Sequence, residues 1–206
     1  MAGNAVIRSR RDTAANWTSQ NPTLALGEIG VETDSLRLKV GDGSTAWASL
    51  PYLSESNTGW GRYTHTGATQ AISASTATTL VNDKGSVDEA QKPLDVATFY
   101  DGTKIIGRNG DDIDVRVDLI FTPDDGTASE IKLWIDIGTG GSPVVVFPVR
   151  FDVVGGALVG HEIAYEMFGF NRATWAANGG VLKVQADGPG VISSVVYVIR
   201  RNHRAR

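Results

Sequence analysis

There is no cysteine anywhere in the 206-residue chain, which excludes disulfide staples and thiolate metal sites and leaves the fold to hold by packing alone. That fits assembly in a reducing cytoplasm. No apolar run approaches the length of about 18 residues that a membrane span needs. The opening Met1-Ala2-Gly3-Asn4 is not a basic segment leading into an apolar stretch, so neither a signal peptide nor membrane insertion is expected. Histidine occurs only at positions 65, 161 and 203, too sparsely for a histidine-rich metal centre. No cofactor is expected.

What is present is 24 glycines, with Thr, Val, Ser and Asp crowding the segments between them, a balance that favours many short strands joined by tight turns. Hydrophobic residues at 41% and charged residues at 20% are ordinary for a globular chain. The net charge of −4 is unevenly laid out: three arginines fall within residues 8–11 and four within residues 200–206, so the remainder is acidic. An acidic body repels phosphate, and nucleic acid is not an expected partner.

The sequence divides near residues 54–61, a small polar linker of Ser, Glu, Asn, Thr, Gly and Trp, with a module over 1–53 before it and a larger domain over 62–206 after it. In the module, Asp12 or Thr13 is placed to cap a short helix through Trp17 that Pro22 ends. Glu28–Thr33 and Leu36–Val40 read as a hairpin around Asp34-Ser35, closed by Gly41-Asp42-Gly43. Glu28 and Lys39 are expected to pair across it, with Trp17, Trp47 and Tyr52 as large apolar anchors. So thin a sheet is marginal alone, and three copies are expected to share the tryptophans around a common axis.

Beyond the linker, a Thr/Ala/Ser-rich stretch from Thr64 to Thr79 reads as short strands. Asp112–Phe121 alternates strictly, with Ile113, Val115, Val117 and Leu119 on one face and Asp114, Arg116 and Asp118 on the other. Ile131–Ile137 repeats the pattern, and Pro123-Asp124-Asp125-Gly126 between them suggests a hairpin or near-hairpin. Val144–Val154, Leu158–Phe168, Val181–Ala186 and Val191–Ile199 continue the series, indicating an all-β sandwich or barrel. Trp134 interrupts a polar face, and Phe147, Phe151, Phe168, Phe170, Trp175 and Tyr197 add aromatic surface; of these, Trp134, Phe147, Phe151 and Tyr197 are the candidate subunit-interface residues.

Catalytic readings find little support. His161-Glu162 with Glu166 superficially resembles a zinc-protease helix but lacks the second histidine, and the segment reads as a strand. Asp111, Asp112 and Asp114 lack the spacing of a calcium loop and read as a plain acidic loop. Gly138-Thr139-Gly140-Gly141 lacks the lysine of a phosphate-binding loop. The basic run from Arg200 to Arg206 reads chiefly as a solvated terminus. No enzymatic activity is expected, and a polysaccharide depolymerase is the least favoured reading.

The spaced series Arg10-Arg11-Asp12-Thr13, Trp17, Asn21-Pro22, Gly27-Glu28-Ile29-Gly30, then Lys39-Val40-Gly41-Asp42-Gly43-Ser44-Thr45-Ala46-Trp47 and Leu50-Pro51-Tyr52 resembles the N-terminal domain of the major tropism determinant family of phage receptor-binding proteins, a module of phage tail-fibre and head-fibre proteins. Asp12 departs from the glycine usual there, which puts the local turn in question. The remainder resembles the TNF/C1q-type jelly rolls at the distal ends of phage fibres, through Trp60–Thr66, Thr78–Asp83, Asp112–Leu119 and Val195–Arg200. The resemblance implies a homotrimeric phage fibre or spike at the virion surface, joined to capsid or tail proteins and binding a host-surface glycan or protein. The alternative is a head fibre or decoration protein on the capsid. On this reading Arg8, Arg10, Arg11, Trp17, Glu28, Lys39, Trp47 and Tyr52 form the virion anchor, and Asn171, Arg172 and Trp175 occupy a receptor-facing loop of the sandwich.

Overall fold

The computed structural model describes residues 9–53, 58–84, 87–91, 98–138, 144–154 and 158–203. The chain forms two compact units, Met1–Ser56 and Asn57–Arg206. Among the described residues no helix is long and apolar enough to cross a membrane, which says nothing of strands.

In the first unit, β1 (Arg10–Asp12) runs parallel to β2 (Ile29–Glu32), which pairs antiparallel with β3 (Leu38–Val40). Thr13 caps helix α1 (Ala14–Gln20) by accepting a hydrogen bond from the Asn16 amide, and Asn21 ends it in the left-handed region at φ 42°. Asp12 needs no left-handed turn: it lies in β1, and its Oδ1 accepts from the Thr13 amide and from Asn16 Nδ2.

The expectation that three copies must share the tryptophans is overturned. Trp17 is 2% and Trp47 1% exposed in a single chain, stacked with centroids 4.1 Å apart over Leu24 and Leu50. Two residues 30 positions apart supply each other's apolar cover, so the thin sheet gains a second layer from α1 and the 3-10 turn Trp47–Ser49. Gly30 is bare because a Cβ there would collide with the Trp47 ring.

The second unit is an all-β jelly-roll sandwich around one core. One sheet has the order β11-β8-β13-β4-β7, with β5 beside β13; the other has the order β10-β9-β12-β6. The strands are β4 (Gly59–Thr64), β5 (Gln70–Ile72), β6 (Thr78–Thr79), β7 (Glu89–Gln91), β8 (Asp112–Pro123), β9 (Glu130–Asp136), β10 (Val145–Asp152), β11 (His161–Phe170), β12 (Val181–Ala186) and β13 (Gly190–His203). The Thr/Ser-rich stretch does form short strands, β5 and β6. β4 begins at Gly59, inside the span read as linker, of which residues 54–57 lie outside the described residues.

The alternation of β8 and β9 is as expected, but their pairing is not. β8 pairs with β11 and β13 while β9 pairs with β10 and β12, so the connection through Pro123–Gly126 crosses between sheets. Each strand buries its apolar face in the shared core, and period-2 alternation is the same whether strands lie side by side or face to face. The core is knitted by a tyrosine cluster: Tyr100 meets Tyr63 and Tyr197 edge to face, at 5.5 and 5.3 Å. Burial pushes the Tyr100 phenol up to about 12 and the Tyr197 phenol well above its ordinary value, so both stay protonated and donate to the carbonyls of Asn82 and Leu80.

Candidate functional site

Most of the anchor residues proposed for the first unit turn out to build it. Glu32, 1% exposed, accepts from the Tyr52 hydroxyl and from Ser35 Oγ, and Arg37 Nη2 lies 3.5 Å from its Oε2. Lys39, 3% exposed, donates to the Trp47 carbonyl at 2.7 Å and lies over the Tyr52 and Trp47 rings. Glu28 does not face Lys39 across the hairpin: the register sets Gly30 opposite Lys39. Glu28 instead accepts from the Ala25 amide, and Arg10 approaches it at 3.9 Å while its guanidinium covers Trp17. Trp17, Trp47 and Lys39 are therefore interior and cannot touch a partner. Arg10 and Arg11 are exposed, as are Leu26 and Leu36; Arg8 lies outside the described residues.

The Gly-Asp-Gly-Ser-Thr run has a structural purpose. Asp42 accepts from the Ser44 and Thr45 amides and from the Thr45 hydroxyl, and these bonds, the Thr45 hydroxyl first, hold its carboxyl far below the usual range. A side chain at Gly41 would strike Leu24 and the Ala25 carbonyl, and Gly43 is left-handed at φ 79°.

In the sandwich, the expected receptor loop is short helix α2 (Ala173–Asn178), and its tryptophan faces inward. Trp175 is 2% exposed and donates from Nε1 to the Ile105 carbonyl. Asn171 is fully buried against Gly107, where a Cβ would overlap its amide. Neither can stack on or bond a receptor from there; Arg172 is exposed. Among the interface candidates, Tyr197 is 0% exposed and belongs to the core. Phe147 and Phe151 are half-buried against the core rim, Phe147 on Gly169 and Phe151 edge-on to Tyr165 at 5.8 Å. Trp134 is half-buried on the outer face of β9.

Two exposed aromatics were not among the interface candidates. Phe168 and Phe170, 52% and 58% exposed, form an edge-to-face pair at 5.3 Å on the outward face of edge strand β11. Their positions two apart, in phase with Glu162 and Glu166, were the available signal. The basic terminus is less solvated than expected: Arg200 and Arg201 belong to β13, Arg200 pairs with Glu166 at 3.3 Å, and buried Arg201 approaches buried Asp111 at 3.8 Å. Asp111 is thus part of a buried pair and not of a plain acidic loop. Among the described residues no group of three or more His, Asp or Glu gathers to hold a metal.

Residues 7–45 match the major tropism determinant N-terminal domain family, a span that takes in the motifs read from sequence between Arg10 and Thr45 and stops short of Trp47 and Leu50-Pro51-Tyr52. Among solved structures the chain is similar to Eiger TNF from S. frugiperda, with 10% identity and a TM-score of 0.42, over 72% of this chain and 94% of that one. It is also similar to the PRD1 vertex protein P5, with 14% identity and a TM-score of 0.38, over 71% and 96% of the two chains. No curated protein sequence matches it.

Proposed function

We propose that the protein is a non-enzymatic structural component of a bacteriophage particle, assembled in the host cytoplasm and carried on the virion surface, where it serves in adsorption to the host. The observation that carries this reading is the family match over residues 7–45, whose Trp17 and Leu24 pack with Trp47 and Leu50, just beyond it, in one buried cluster. On this reading the first unit joins other virion proteins through its exposed residues, Arg10, Arg11, Leu26 and Leu36, and the sandwich is presented outward.

The active form is a homotrimer. Its support is not a need to hide tryptophans but the apolar surface on the sandwich edges: Phe168 and Phe170 on β11, Val145, 48% exposed, opening β10, and Val144, 44% exposed, just before it. Exposed apolar clusters of this kind mark association surfaces. Light scattering on the purified protein is expected to give a mass near three times 21.9 kDa. A Phe168→Asp/Phe170→Asp double variant is expected to run as a folded monomer, since both rings leave the core untouched. A monomeric wild type, or a trimeric double variant, would overturn this interface.

A further inference from the structure

We infer that the outer face of the four-stranded sheet, around Trp134 and the groove beside it, binds a hydroxyl-rich pyranose ring of a surface glycan. The inference deepens the adsorption reading and rests on it for its biological role. Ile131, Leu133, Ile135 and Ile137 turn inward from β9, which leaves Trp134 on the opposite face between Lys132 and Asp136. A tryptophan there has no packing task in the core. Trp17 and Trp175 spend their indole N–H groups on Val31 and Ile105 carbonyls, whereas Trp134 donates to no partner among the described residues.

The neighbouring strands keep the ring uncovered on one side and polar on the other. β10 bulges between Val146 and Val149, opposite Trp134, and sends the Phe147 ring onto Gly169, away from this face. On the other side the register sets Lys183 of β12 directly across from Trp134, close enough for the two side chains to share a ligand. Lys183 and Asp136 both line a groove of about 450 Å³ with Thr79, Thr103, Gly138 and Val181, a size within the range of small-ligand sites.

The donor and acceptor set matches a sugar. Lys183 Nζ donates to Thr79 Oγ1 at 2.9 Å and keeps further protons for a ligand; among the described residues no carboxylate pairs with it. Asp136 Oδ1 is held by the Gly138 and Val144 amides at 2.9 and 3.1 Å, so its Oδ2 is left to accept. Sugar hydroxyls both donate and accept, and the C–H face of a pyranose is flat and apolar. A plate of indole flanked by an ammonium, a carboxylate and a threonine hydroxyl serves both needs, which neither a purely apolar nor a single-signed surface does.

Calorimetric titration of the purified wild-type protein with maltotriose, cellotriose, mannotriose and galactotriose tests the site, with host-cell binding by the same protein measured in parallel. At least one trisaccharide is expected to bind, about tenfold more weakly to Trp134→Ala, and with near wild-type affinity to Trp134→Tyr, which keeps an aromatic plate. Melting temperatures should be unchanged in both variants, because the ring lies outside the core. Lys183→Met should weaken binding without abolishing it. Failure of all four sugars to bind, or equal binding by wild type and Trp134→Ala, would overturn the site. If wild type and Trp134→Ala bind cells equally, the site is wrong while adsorption stands. If wild type does not bind cells, the adsorption reading fails and the sugar titration still judges the site.

Discussion

Replacing Trp47 with alanine is expected to unfold the first unit while the sandwich stays intact. Among the described residues the unit's buried apolar cluster has four members, with the Trp17–Trp47 stack at its centre. Removing a buried tryptophan costs about 3–5 kcal/mol through lost burial and the cavity left behind. A unit of some 50 residues has a total stability of roughly 3–8 kcal/mol, so the loss removes most or all of it. Lys39 would also lose one of the two rings beneath its ammonium, leaving a buried charge with less compensation. Limited proteolysis read by mass spectrometry should show cuts throughout residues 9–53 in the variant and a surviving fragment of the second unit. Trp17→Ala should behave alike, because each ring covers the other. Protection equal to wild type in either variant would mean that something outside the chain, and not the stacked pair, holds the unit together.

Tyr63→Phe is expected to destabilise the sandwich far more than loss of one hydroxyl usually does. The Tyr63 oxygen accepts from the Phe99 amide at 2.8 Å and the Tyr100 amide at 3.2 Å, and it pairs with Thr98 Oγ1 at 2.9 Å. Tyr63 is fully buried, so phenylalanine would leave the Phe99 amide without water to replace the lost oxygen, and would leave the Tyr100 amide only its second contact, with Thr98 Oγ1 at 3.2 Å. Stranding a buried donor costs about 1–3 kcal/mol, and the combined loss should be about 2–4 kcal/mol. In a domain of this size that lowers the melting temperature by about 5–15 °C. Tyr197→Phe is the internal comparison: it forfeits one bond to the Leu80 carbonyl, an acceptor that tolerates a missing partner better than an amide does. Equal small shifts in the two variants, by scanning calorimetry, would show that the Tyr63 oxygen does not organise the Thr98–Tyr100 turn.

How far these features were legible in the sequence depended on the range of the interaction. The Thr13 cap, the β2–β3 hairpin and the alternation of β8 and β9 are set by neighbours a few residues apart, and their residue types announce them. The pairing of β8 with β13, or of β9 with β12, joins residues between 45 and 91 positions apart, and an alternating pattern carries no label for its partner. The Trp17–Trp47 stack failed to show for the same reason: each tryptophan read alone is an apolar excess, and only the folded chain reveals that they cancel. Trp175 was misread on a subtler ground. The segment between the strand runs ending at Phe168 and starting at Val181 was read as a loop, yet Ala173, Ala176 and Ala177 followed shortly by a glycine is also how a short helix ends, and a helix gave the ring a way inward. Phe168 and Phe170 were the opposite case, counted as general aromatic surplus although their phase with Glu162 and Glu166 already set them outside.

The Glu32 network was missed because its members are unremarkable in isolation. A glutamate on a short hairpin is ordinarily solvent-facing, and nothing in the order of residues says that Ser35, Arg37 and Tyr52 converge on it. That convergence, with Lys39 beside it, explains why the matched segment keeps so many polar residues in so small a unit: they satisfy one another in its interior and are not all available to a partner.

Immunogold labelling of intact phage particles, with antibody raised against the second unit, tests the central claim most directly. The expected result is gold on the particle exterior at regular positions, over the head for a capsid-bound fibre or on the tail for a tail-borne one. Intact particles that carry no label, while disrupted infected cells label strongly, would contradict a virion-surface role.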